Sequence, residues 1–266
     1  MALYDELAAR LRAEQPVALL TVVAGRSRGA KLLVSPDAAP LGTLGDSELD
    51  RVAARDALAE LEAARSGVRH YGPRGETTPE DLAGSPEVAV FIECHAAPPQ
   101  MWIFGAVDFT AALAQAAKLL GYRVTVCDAR EAFATRRRFP MADEVLVAWP
   151  ATLFAERGAS LGPRDAVCIL THDAKFDVPA VGGALATRVG YIGVMGSRTT
   201  HAKRLARLAE AGITDRGQLD RLMSPIGLDI GARTPEETAI SICAEIIAQR
   251  TGRRAPSLRD SSGPIH

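Results

Sequence analysis

Two polar segments in the last third of the sequence carry residue types that could bind an anion. The first, Gly196-Ser197-Arg198, closes an apolar run over 191–195 and opens a basic amphipathic helix, a pattern that predicts a strand, a turn and a helix. A helix start presents unbonded backbone N–H groups and the positive end of the helix dipole. Gly196, Ser197 and Arg198 are therefore predicted to hold a phosphate.

The second segment is a glycine-containing loop over 225–233 that carries Asp229 and Arg233. It ends at a helix start in which Thr234 is the predicted N-cap and Glu237 completes a capping box. The residues that follow are apolar nearly all round, so this helix should be buried and should hold the loop beside the first segment. The alternative for both segments is a plain connector that binds nothing.

These segments also carry a family resemblance. The run GVMGSRTTHAKRL, followed by SPIGLDIGARTPEETAISICAEI, resembles the C-terminal signature of the xanthine dehydrogenase accessory protein family, XdhC/CoxI. The resemblance extends upstream through THDAKFDVPAV, RRRFPMADEV and LLGYRVTVCDAR, and so covers residues 100–250 well and the N-terminal third weakly. It implies a factor that binds molybdenum cofactor, protects it and helps deliver it to a molybdenum hydroxylase. It also implies a cysteine desulfurase as a candidate partner.

From residue 101 onward, apolar segments alternate with helical segments, which predicts an α/β fold. Continuous apolar strands separated by helices imply a parallel sheet with both faces covered. We therefore predict a Rossmann-like doubly wound domain over 98–250. Its predicted strands cover 101–105, 122–128, 144–149, 166–172 and 190–196, and its clearest helices cover 109–120 and 199–211.

Four of the five predicted strands end in glycine or polar residues. In doubly wound sheets, ligands bind outside the carboxyl ends of the strands. We therefore expect these residues to line one cleft, together with the loop over 225–233. The candidate cofactor-binding residues are Gly105, Asp128, Arg130, Thr171, His172, Asp173, Gly196, Ser197, Arg198, Asp229 and Arg233.

Asp128 ends the second strand of this domain, 23 residues after Gly105. That spacing fits the acid that binds a ribose hydroxyl in dinucleotide-binding folds, and a pterin with neighbouring donors could use the same carboxylate. Arg130 on the same turn favours a binding role. The alternative is a strand-end aspartate that caps the next helix.

The segment Thr171-His172-Asp173 ends the fourth strand and could do acid–base work or hold a cofactor phosphate. As a metal site it is weak, because one histidine with nearby carboxylates lacks a recognised ligand spacing. The resemblance favours a binding role, and the alternative is that Asp173 only caps the following helix.

The first strand-to-helix turn argues against an ordinary dinucleotide site. A dinucleotide fingerprint places glycines where this sequence has Val107 and Thr110. Val107 would block the approach of a pyrophosphate, and Asp108 would repel it. The family that the chain resembles commonly has Gly-Ala-Gly-His here, so the sequence departs from that pattern as well. We predict Asp108 to be the N-cap of the helix.

The N-terminal third predicts a smaller α+β domain over 1–97. A helix over 5–14 and strands over 17–25 and 30–36 precede a glycine-rich turn at 41–50, where Ser47 is the predicted N-cap of a long helix. Pro98-Pro99 marks the predicted domain boundary. The composition of residues 251–266 predicts a disordered tail.

The resemblance implies two cysteine motifs that this chain lacks. Family members have Ser-Gly-Gly-Cys-Val-Glu after the second strand and a later Cys-Gly-Gly, and soft thiolates suit molybdenum chemistry. Here the first motif is replaced by residues 42–48, which contain no cysteine, and Cys94 lies at a strand end. The four cysteines are scattered without CxxC or zinc spacing, so we expect them to be buried packing residues.

Composition excludes several classes of function. The formal net charge of −1 argues against a nucleic-acid-binding protein, which would show a basic bias. No segment resembles a targeting signal, and no apolar run approaches the length that spans a membrane. We expect a cytoplasmic protein, for which a homo-oligomer is plausible. The run Arg136-Arg137-Arg138 is expected to be a solvated face.

The sequence therefore favours a two-domain protein that binds molybdenum cofactor, or its nucleotide form, between the domains. Its expected partner is a molybdenum hydroxylase of the xanthine or carbon monoxide dehydrogenase type. No residues form a nucleophile with its base, so binding is favoured over catalysis. The alternatives are an NAD(P)-dependent oxidoreductase and a regulatory module that senses a nucleotide.

Overall fold

The computed structural model describes residues 2–72, 88–171 and 173–260. The chain divides into two compact units, Met1–Pro98 and Pro99–His266, each with its own core. The candidate site residue His172 and the last part of the predicted tail, 261–266, lie outside the described residues.

The first unit is an antiparallel sheet with one helix on each face. The sheet order is β3-β2-β1-β5-β4. Alternate residues of a strand face opposite sides of a sheet. Accordingly, Ala18 and Leu20 of β1 pack with the helix α2, whereas Val17 and Leu19 pack near the helix α1. Its elements are α1 (Ala2–Arg12), β1 (Val17–Gly25), β2 (Lys31–Ser35), β3 (Ala38–Thr43), α2 (Ser47–Ala63), β4 (Gly67–Tyr71) and β5 (Val88–His95).

Two predictions for the first unit are wrong in detail. The glycine-rich segment predicted as a turn is partly the strand β3. Gly42 allows this pairing, because a Cβ there would lie 2.4 Å from the carbonyl oxygen of Lys31. The N-cap of α2 is Asp46 and not Ser47, because the Asp46 carboxylate accepts hydrogen bonds from the backbone N–H groups of Glu48 and Leu49.

The second unit alternates strands and helices, as the sequence predicts. Its elements are β6 (Gln100–Phe104), α3 (Asp108–Leu119), β7 (Arg123–Asp128), β8 (Glu144–Val147), α4 (Pro150–Arg157), β9 (Ala166–Ile169), α5 (Ala174–Leu185), β10 (Tyr191–Val194), α6 (Arg198–Glu210), α7 (Arg216–Leu219), β11 (Leu222–Met223) and α8 (Pro235–Thr251).

All strand pairs of the second sheet are parallel, in the order β11-β10-β9-β6-β7-β8. Numbered from the first strand of this unit and read from β8, that order is 3-2-1-4-5-6, the order of dinucleotide-binding folds. The predicted Rossmann-like fold is therefore confirmed. The strand order reverses between β6 and β9, so the ligand crevice of such a fold lies beyond the carboxyl ends of these two strands. We call this edge of the sheet the carboxyl edge.

Helices cover both faces of the second sheet. Met101 and Ile103 of β6 belong to a core that also contains residues of α3 and α8. Trp102 and Phe104, on the opposite face, pack with residues of α4, α5 and α6. Each strand is thus apolar on both sides, which explains why its sequence shows a continuous apolar run.

Part of the tail over 251–266 lies within the described residues, and its disorder stays a prediction. Thr251 is the last residue of α8, and Leu258–Asp260 forms a single 3-10 turn.

Among the described residues, every helix is too short or too polar to cross a membrane.

Candidate functional site

Gly105 lies between the carboxyl ends of β6 and β9, where the strand order reverses. Gly105 follows β6 and has a φ of 110°, in the region that favours glycine. A Cβ at this position would lie only 2.9 Å from the backbone nitrogen of Thr171, which follows β9. A glycine is therefore required here, because any side chain would push the ends of β6 and β9 apart.

Asp128 and Arg130 form an ion pair at the end of β7. Arg130 donates to the Asp128 carboxylate from its backbone N–H, at 2.9 Å, and from Nε and Nη2, at 2.9 and 2.7 Å. The backbone N–H of Ala106 donates to the same carboxylate at 2.8 Å. Burial alone would raise the pKa of Asp128, but these hydrogen bonds outweigh it and hold the pKa below its ordinary value.

These contacts change the chemistry available at this strand end. The buried Asp128 carboxylate already accepts four hydrogen bonds, so little of its capacity is left for a ribose or pterin donor. The Arg130 side chain is about half exposed, at 46%. A ligand at this edge would therefore meet the guanidinium of Arg130 before the carboxylate of Asp128.

The first turn also keeps its N–H groups for internal contacts. The backbone N–H of Ala106 donates to Asp128, and that of Val107 donates to the hydroxyl of Thr110. The predicted N-cap is wrong here, since Val107 holds the cap position and Asp108 is the first residue of α3. Asp108 is exposed and lies 3.5 Å from Nη2 of Arg138.

The arginine run at 136–138 is more than a solvated face. Arg138 donates from Nη1 to the carbonyl oxygen of Ala106 at 3.0 Å and lies over the rings of Phe133 and Phe139. Arg136 donates to the carbonyl oxygen of Ala142. Arg138 thus fixes the segment after β7 against the first turn, a contact that the sequence analysis missed because charge runs carry no pairing information.

Asp173 caps the helix that follows β9. Its carboxylate accepts a hydrogen bond from the backbone N–H of Lys175 at 3.0 Å, while the hydroxyl of the buried Thr171 accepts from the N–H of Asp173 at 3.2 Å. Hydrogen bonds to Asp128 raise the pKa of Arg130, and the charge of Asp173 adds to this effect. The ends of β7 and β9 are therefore close enough for their charges to interact.

Ser197 is the N-cap of α6. The residues that were predicted to hold a phosphate therefore lie at the start of a helix. The Ser197 hydroxyl accepts from the backbone N–H of Thr200 at 3.1 Å. Arg198 is the first residue of the helix and is exposed. Gly196 has a φ of 140°, and a Cβ there would lie 3.0 Å from the Thr200 side chain, which again selects glycine.

Arg204 organises this end of the sheet, although the sequence analysis did not identify it. Its side chain is 0% exposed and binds both carboxylate oxygens of Asp177 through Nε, at 3.0 and 2.8 Å. Nη1 donates to the hydroxyl of Ser224 at 3.0 Å, and Nη2 donates to the carbonyl oxygen of Met195 at 2.7 Å. One sequence signal was present: Arg204 lies four residues before the buried Leu208, on the apolar face of α6.

Arg204 fixes the start of the predicted loop over 225–233 by holding Ser224, and α8 holds the next residues of the loop. The N–H of Gly227 donates to Glu245 at 2.9 Å, and the hydroxyl of Ser241 donates to the carbonyl oxygen of Leu228 at 2.6 Å. The predicted capping box at the start of α8 is present.

The two charged residues of that loop are exposed. Within the described part of the chain, the side chains of Asp229 and Arg233 form no hydrogen bond or ion pair. Their assignment to the site stays a prediction.

The cysteines offer little thiolate for binding a metal. Burial raises the pKa of Cys127 to about 12 and that of Cys243 to about 11, and burial together with Glu60 raises that of Cys94 to about 11. Cys168 is completely buried, and burial raises its pKa well above the ordinary value. Among the described residues, no group of three or more histidine, cysteine, aspartate or glutamate side chains could hold a metal ion.

A cleft of about 250 Å³ lies at the opposite edge of the second sheet, where its strands begin. Tyr122, Asp165, Arg164 and Arg250 are among its lining residues. Burial lowers the pKa of Arg164, and the nearby charge of Arg250 lowers it further. The sequence analysis did not predict this cleft, because it considered only the ends of the strands.

Two family models match the chain. A model described as the XdhC Rossmann domain matches residues 101–246, and a model described as the XdhC and CoxI family matches residues 10–72. The first match covers more than half of the chain and includes every candidate site residue.

Three curated relatives are between 28% and 34% identical to the chain over the residues that match. The uncharacterized protein YqeB of Escherichia coli K12 is 28% identical over 254 residues, which are 93% of this chain and 46% of that protein. A probable xanthine dehydrogenase subunit of Bacillus subtilis 168 is 34% identical over 161 residues, 60% of this chain and 46% of that protein. The molybdenum cofactor insertion chaperone PaoD of Escherichia coli K12 is 31% identical over 96 residues, 36% of this chain and 30% of that protein. The chain spans less than half the length of each.

A solved structure shares the fold. The crystal structure of a xanthine dehydrogenase, BH1974, from Bacillus halodurans has a TM-score of 0.53 with 23% identity. The similarity covers 95% of this chain and 97% of that one. At this identity the likeness shows the fold alone.

Proposed function

Because the chain belongs to the XdhC and CoxI family, we propose that it is an accessory factor for molybdenum hydroxylases. In this role it binds molybdenum cofactor, or its nucleotide form, and helps to insert it into an enzyme of the xanthine or carbon monoxide dehydrogenase type. The names of two relatives, a probable xanthine dehydrogenase subunit and a molybdenum cofactor insertion chaperone, support this role.

The carboxyl edge carries this proposal. Four helices begin there, after β6, β8, β9 and β10, and helix starts attract anions. Ser197 and the exposed Arg198 at the start of α6 would hold the phosphate of the cofactor. Arg130, half exposed beside Asp128, would supply a second positive charge. Asp229 and Arg233, both exposed, would complete the wall.

The donor set fits the organic part of the cofactor better than the metal. Helix starts, guanidinium groups and carboxylates suit a phosphate and a pterin ring. Three of the four described thiols are buried and the fourth, Cys94, is partly buried; all four have raised pKa values, so they are poor ligands for molybdenum. In this proposal the chain therefore holds the cofactor by its pterin and phosphate and leaves the metal to the cofactor's own ligands.

The first turn disfavours the alternative of an NAD(P)-dependent oxidoreductase. In dinucleotide-binding folds the pyrophosphate lies on the N–H groups of the first strand-to-helix turn. Here the N–H groups of Ala106 and Val107 are bonded to Asp128 and Thr110, and Val107 occupies a position that needs glycine. We therefore favour the carrier over the dehydrogenase.

Anaerobic titration with released molybdenum cofactor tests the proposal. The natural chain should retain the cofactor, and Arg198→Ala should weaken retention about tenfold, the loss expected for a hydrogen bond to a charged group. Arg207→Ala is the matched control, because Arg207 lies exposed on the same helix but away from its start.

Two further measurements complete the test. Adding the loaded protein to a hydroxylase that lacks the cofactor should restore hydroxylase activity faster than free cofactor does. Tight binding of NADH or NADPH without retention of the pterin would overturn the proposal in favour of the dehydrogenase.

A further inference from the structure

Two aromatic side chains stack at the carboxyl edge, and neither belongs to the predicted site. The rings of Trp149 and Phe176 lie 4.6 Å apart, with 19° between their planes. Trp149 is 51% exposed, whereas Trp102, the other tryptophan of the chain, is 2% exposed. We call this pair the aromatic platform.

The fold places the platform among the candidate site residues. Trp149 follows β8 and is the N-cap residue of α4, and Phe176 lies in the first turn of α5, after β9. Cys127, which precedes Asp128, donates from Sγ to the carbonyl oxygen of Ala148, which precedes Trp149, at 3.4 Å. The two rings therefore lie at the same edge as the Asp128–Arg130 pair.

Polar groups that could form hydrogen bonds with a heterocycle lie near the aromatic platform. The backbone N–H of Phe176 donates to the carbonyl oxygen of Asp173 at 3.0 Å, so Asp173 lies one helical turn before Phe176. One oxygen of this carboxylate accepts from Lys175, and the other has no partner among the described residues. Arg130, whose guanidinium lies 4.6 Å from the ring centre of Phe133, is close enough to sense the charge of Asp173.

An indole in this position gains little from packing alone. Phe176 shields one face of Trp149, while about half of the Trp149 surface remains in water. Large apolar side chains are usually buried, and a flat ring backed by a second ring presents a rigid surface for stacking. Flat heterocycles stack on such rings regardless of their identity, and neighbouring polar groups then select among them.

We propose that Trp149, backed by Phe176, stacks on the planar heterocycle of the bound ligand, and that Asp173 accepts hydrogen bonds from the amino and imide N–H groups of that ring. The ligand class is a 2-aminopyrimidinone heterocycle, which pterins and guanine share and adenine lacks. This inference rests on the proposed function, because it assigns the ring-binding part of the same site. It also makes the aromatic platform the part of the site that distinguishes one ligand from another.

Fluorescence measures the stacking directly. Because Trp102 is buried, quenching by an added ligand reports on Trp149. The probes are unsubstituted pterin, GMP, AMP and inorganic pyrophosphate, with binding measured independently by equilibrium dialysis. Pterin and GMP should quench the emission, AMP should bind more weakly, and pyrophosphate should bind without quenching.

Three variants separate stacking from folding. Trp149→Ala should weaken pterin and GMP binding at least about fivefold, whereas Trp149→Phe should restore most of the affinity, because stacking on an aromatic ring contributes about a fivefold to hundredfold gain. Asp173→Asn retains a good N-cap but should lose the preference for GMP over AMP. In the two Trp149 variants pyrophosphate affinity should be unchanged, and in all three variants Trp102 emission should be unchanged.

Several outcomes would overturn the inference. These are pterin binding by Trp149→Ala at full affinity, failure of the natural chain to bind either pterin or GMP, and capture of a protein partner by this surface in place of a heterocycle. The proposed function is judged separately, by reconstitution of the hydroxylase. A chain that binds pterin through Trp149 but fails to restore the hydroxylase would retain the stacking site and refute the delivery role.

Discussion

At the scale of single residues, the Asp128–Arg130 pair decides what a ligand can touch. An aspartate at the end of the second strand normally binds a ribose, but here four internal hydrogen bonds use that carboxylate. The pair also ties the turn after β6 to the segment after β7. It therefore has a structural role that is measurable without any ligand.

We predict that Asp128→Asn lowers the free energy of unfolding at pH 7 by about 1.5–3 kcal/mol, because it removes hydrogen bonds to a charged group. The folded pKa of Asp128 lies below the unfolded value, so its stabilisation is complete above the unfolded pKa and is lost as pH falls through the folded pKa. The difference in the free energy of unfolding between the variant and the natural chain should therefore be constant from about pH 7 to 5 and shrink below about pH 4.

Urea unfolding followed by tryptophan fluorescence measures this difference. Asp108→Asn is the control, because Asp108 is exposed and has only a long ion pair to Arg138. A gap between Asp128→Asn and the natural chain that stayed the same at every pH would show that the ion pair does not cause it.

The sequence located the strand-end residues, but their contacts depend on the fold. Gly105, Asp128 and Asp173 could be placed because glycine and polar residues interrupt apolar strands. The long-range partner of Asp128 could not, because Ala106 lies 22 residues away in sequence and meets Asp128 only through the order of the strands. The stacking of Trp149 on Phe176 was missed for the same reason, since the two rings come from different strand-helix units.

At the scale of elements, the buried Arg204 joins α6 to α5 and to the segments that follow β10 and β11. A buried charge is tolerated only when it is paired and hydrogen-bonded, and this guanidinium meets both conditions. The ends of β10 and β11 are therefore held by one side chain, and the loop over 225–233 starts from a fixed point.

We predict that Arg204→Met lowers the free energy of unfolding by about 3–5 kcal/mol, because it leaves Asp177 buried without its partner. Adding Asp177→Leu should recover most of the loss, because well-packed apolar pairs can replace buried ion pairs. Arg207→Met, at an exposed position of the same helix, should change stability by less than about 0.5 kcal/mol. The idea fails if the double variant is as unstable as the sum of the single ones.

Element prediction succeeded where the apolar pattern was long and failed where it was short. The strands β6, β7, β9 and β10 and the helix α8 were identified from continuous apolar runs and from the capping box. The strand β11 has two residues and shows no period, and β3 is exposed along its length, so neither had an apolar signal. The caps of α2 and α3 were misplaced by one residue. At α2 the Asp46 carboxylate takes the N–H groups in place of Ser47, and at α3 the apolar Val107 holds the cap position without a side-chain hydrogen bond.

At the scale of the whole molecule, both tryptophans lie in the unit Pro99–His266. Tryptophan fluorescence therefore reports the unfolding of that unit alone, even in the full chain. Each unit also has cores made of its own residues.

We predict that residues 99–266 fold without the first unit. The fragment should show the blue-shifted emission of a buried Trp102 and a single cooperative unfolding transition in urea, since its two cores are internal. Fluorescence and circular dichroism measure both properties. Broad, non-cooperative unfolding with dye binding to exposed apolar surface would show that the fragment needs the rest of the chain.

The two units differed in how much of their topology could be predicted. Strand–helix alternation leaves few arrangements for a parallel sheet, so the fold of the second unit followed from its pattern. In the first unit β1 pairs with β5, which lies far along the chain, and no local signal identifies that partner. Its α+β class was therefore predicted without its strand order.

The packing of α8 against α3 has a consequence for how the protein is made. These two helices share the core on one face of the second sheet, yet α3 leaves the ribosome long before α8 does. A nascent chain that has released β6 to β10 but not α8 has an uncovered apolar face, which is prone to aggregation. Stop codons or translational pauses before α8 should therefore yield insoluble protein, and the second unit completes its fold only after its final helix is translated.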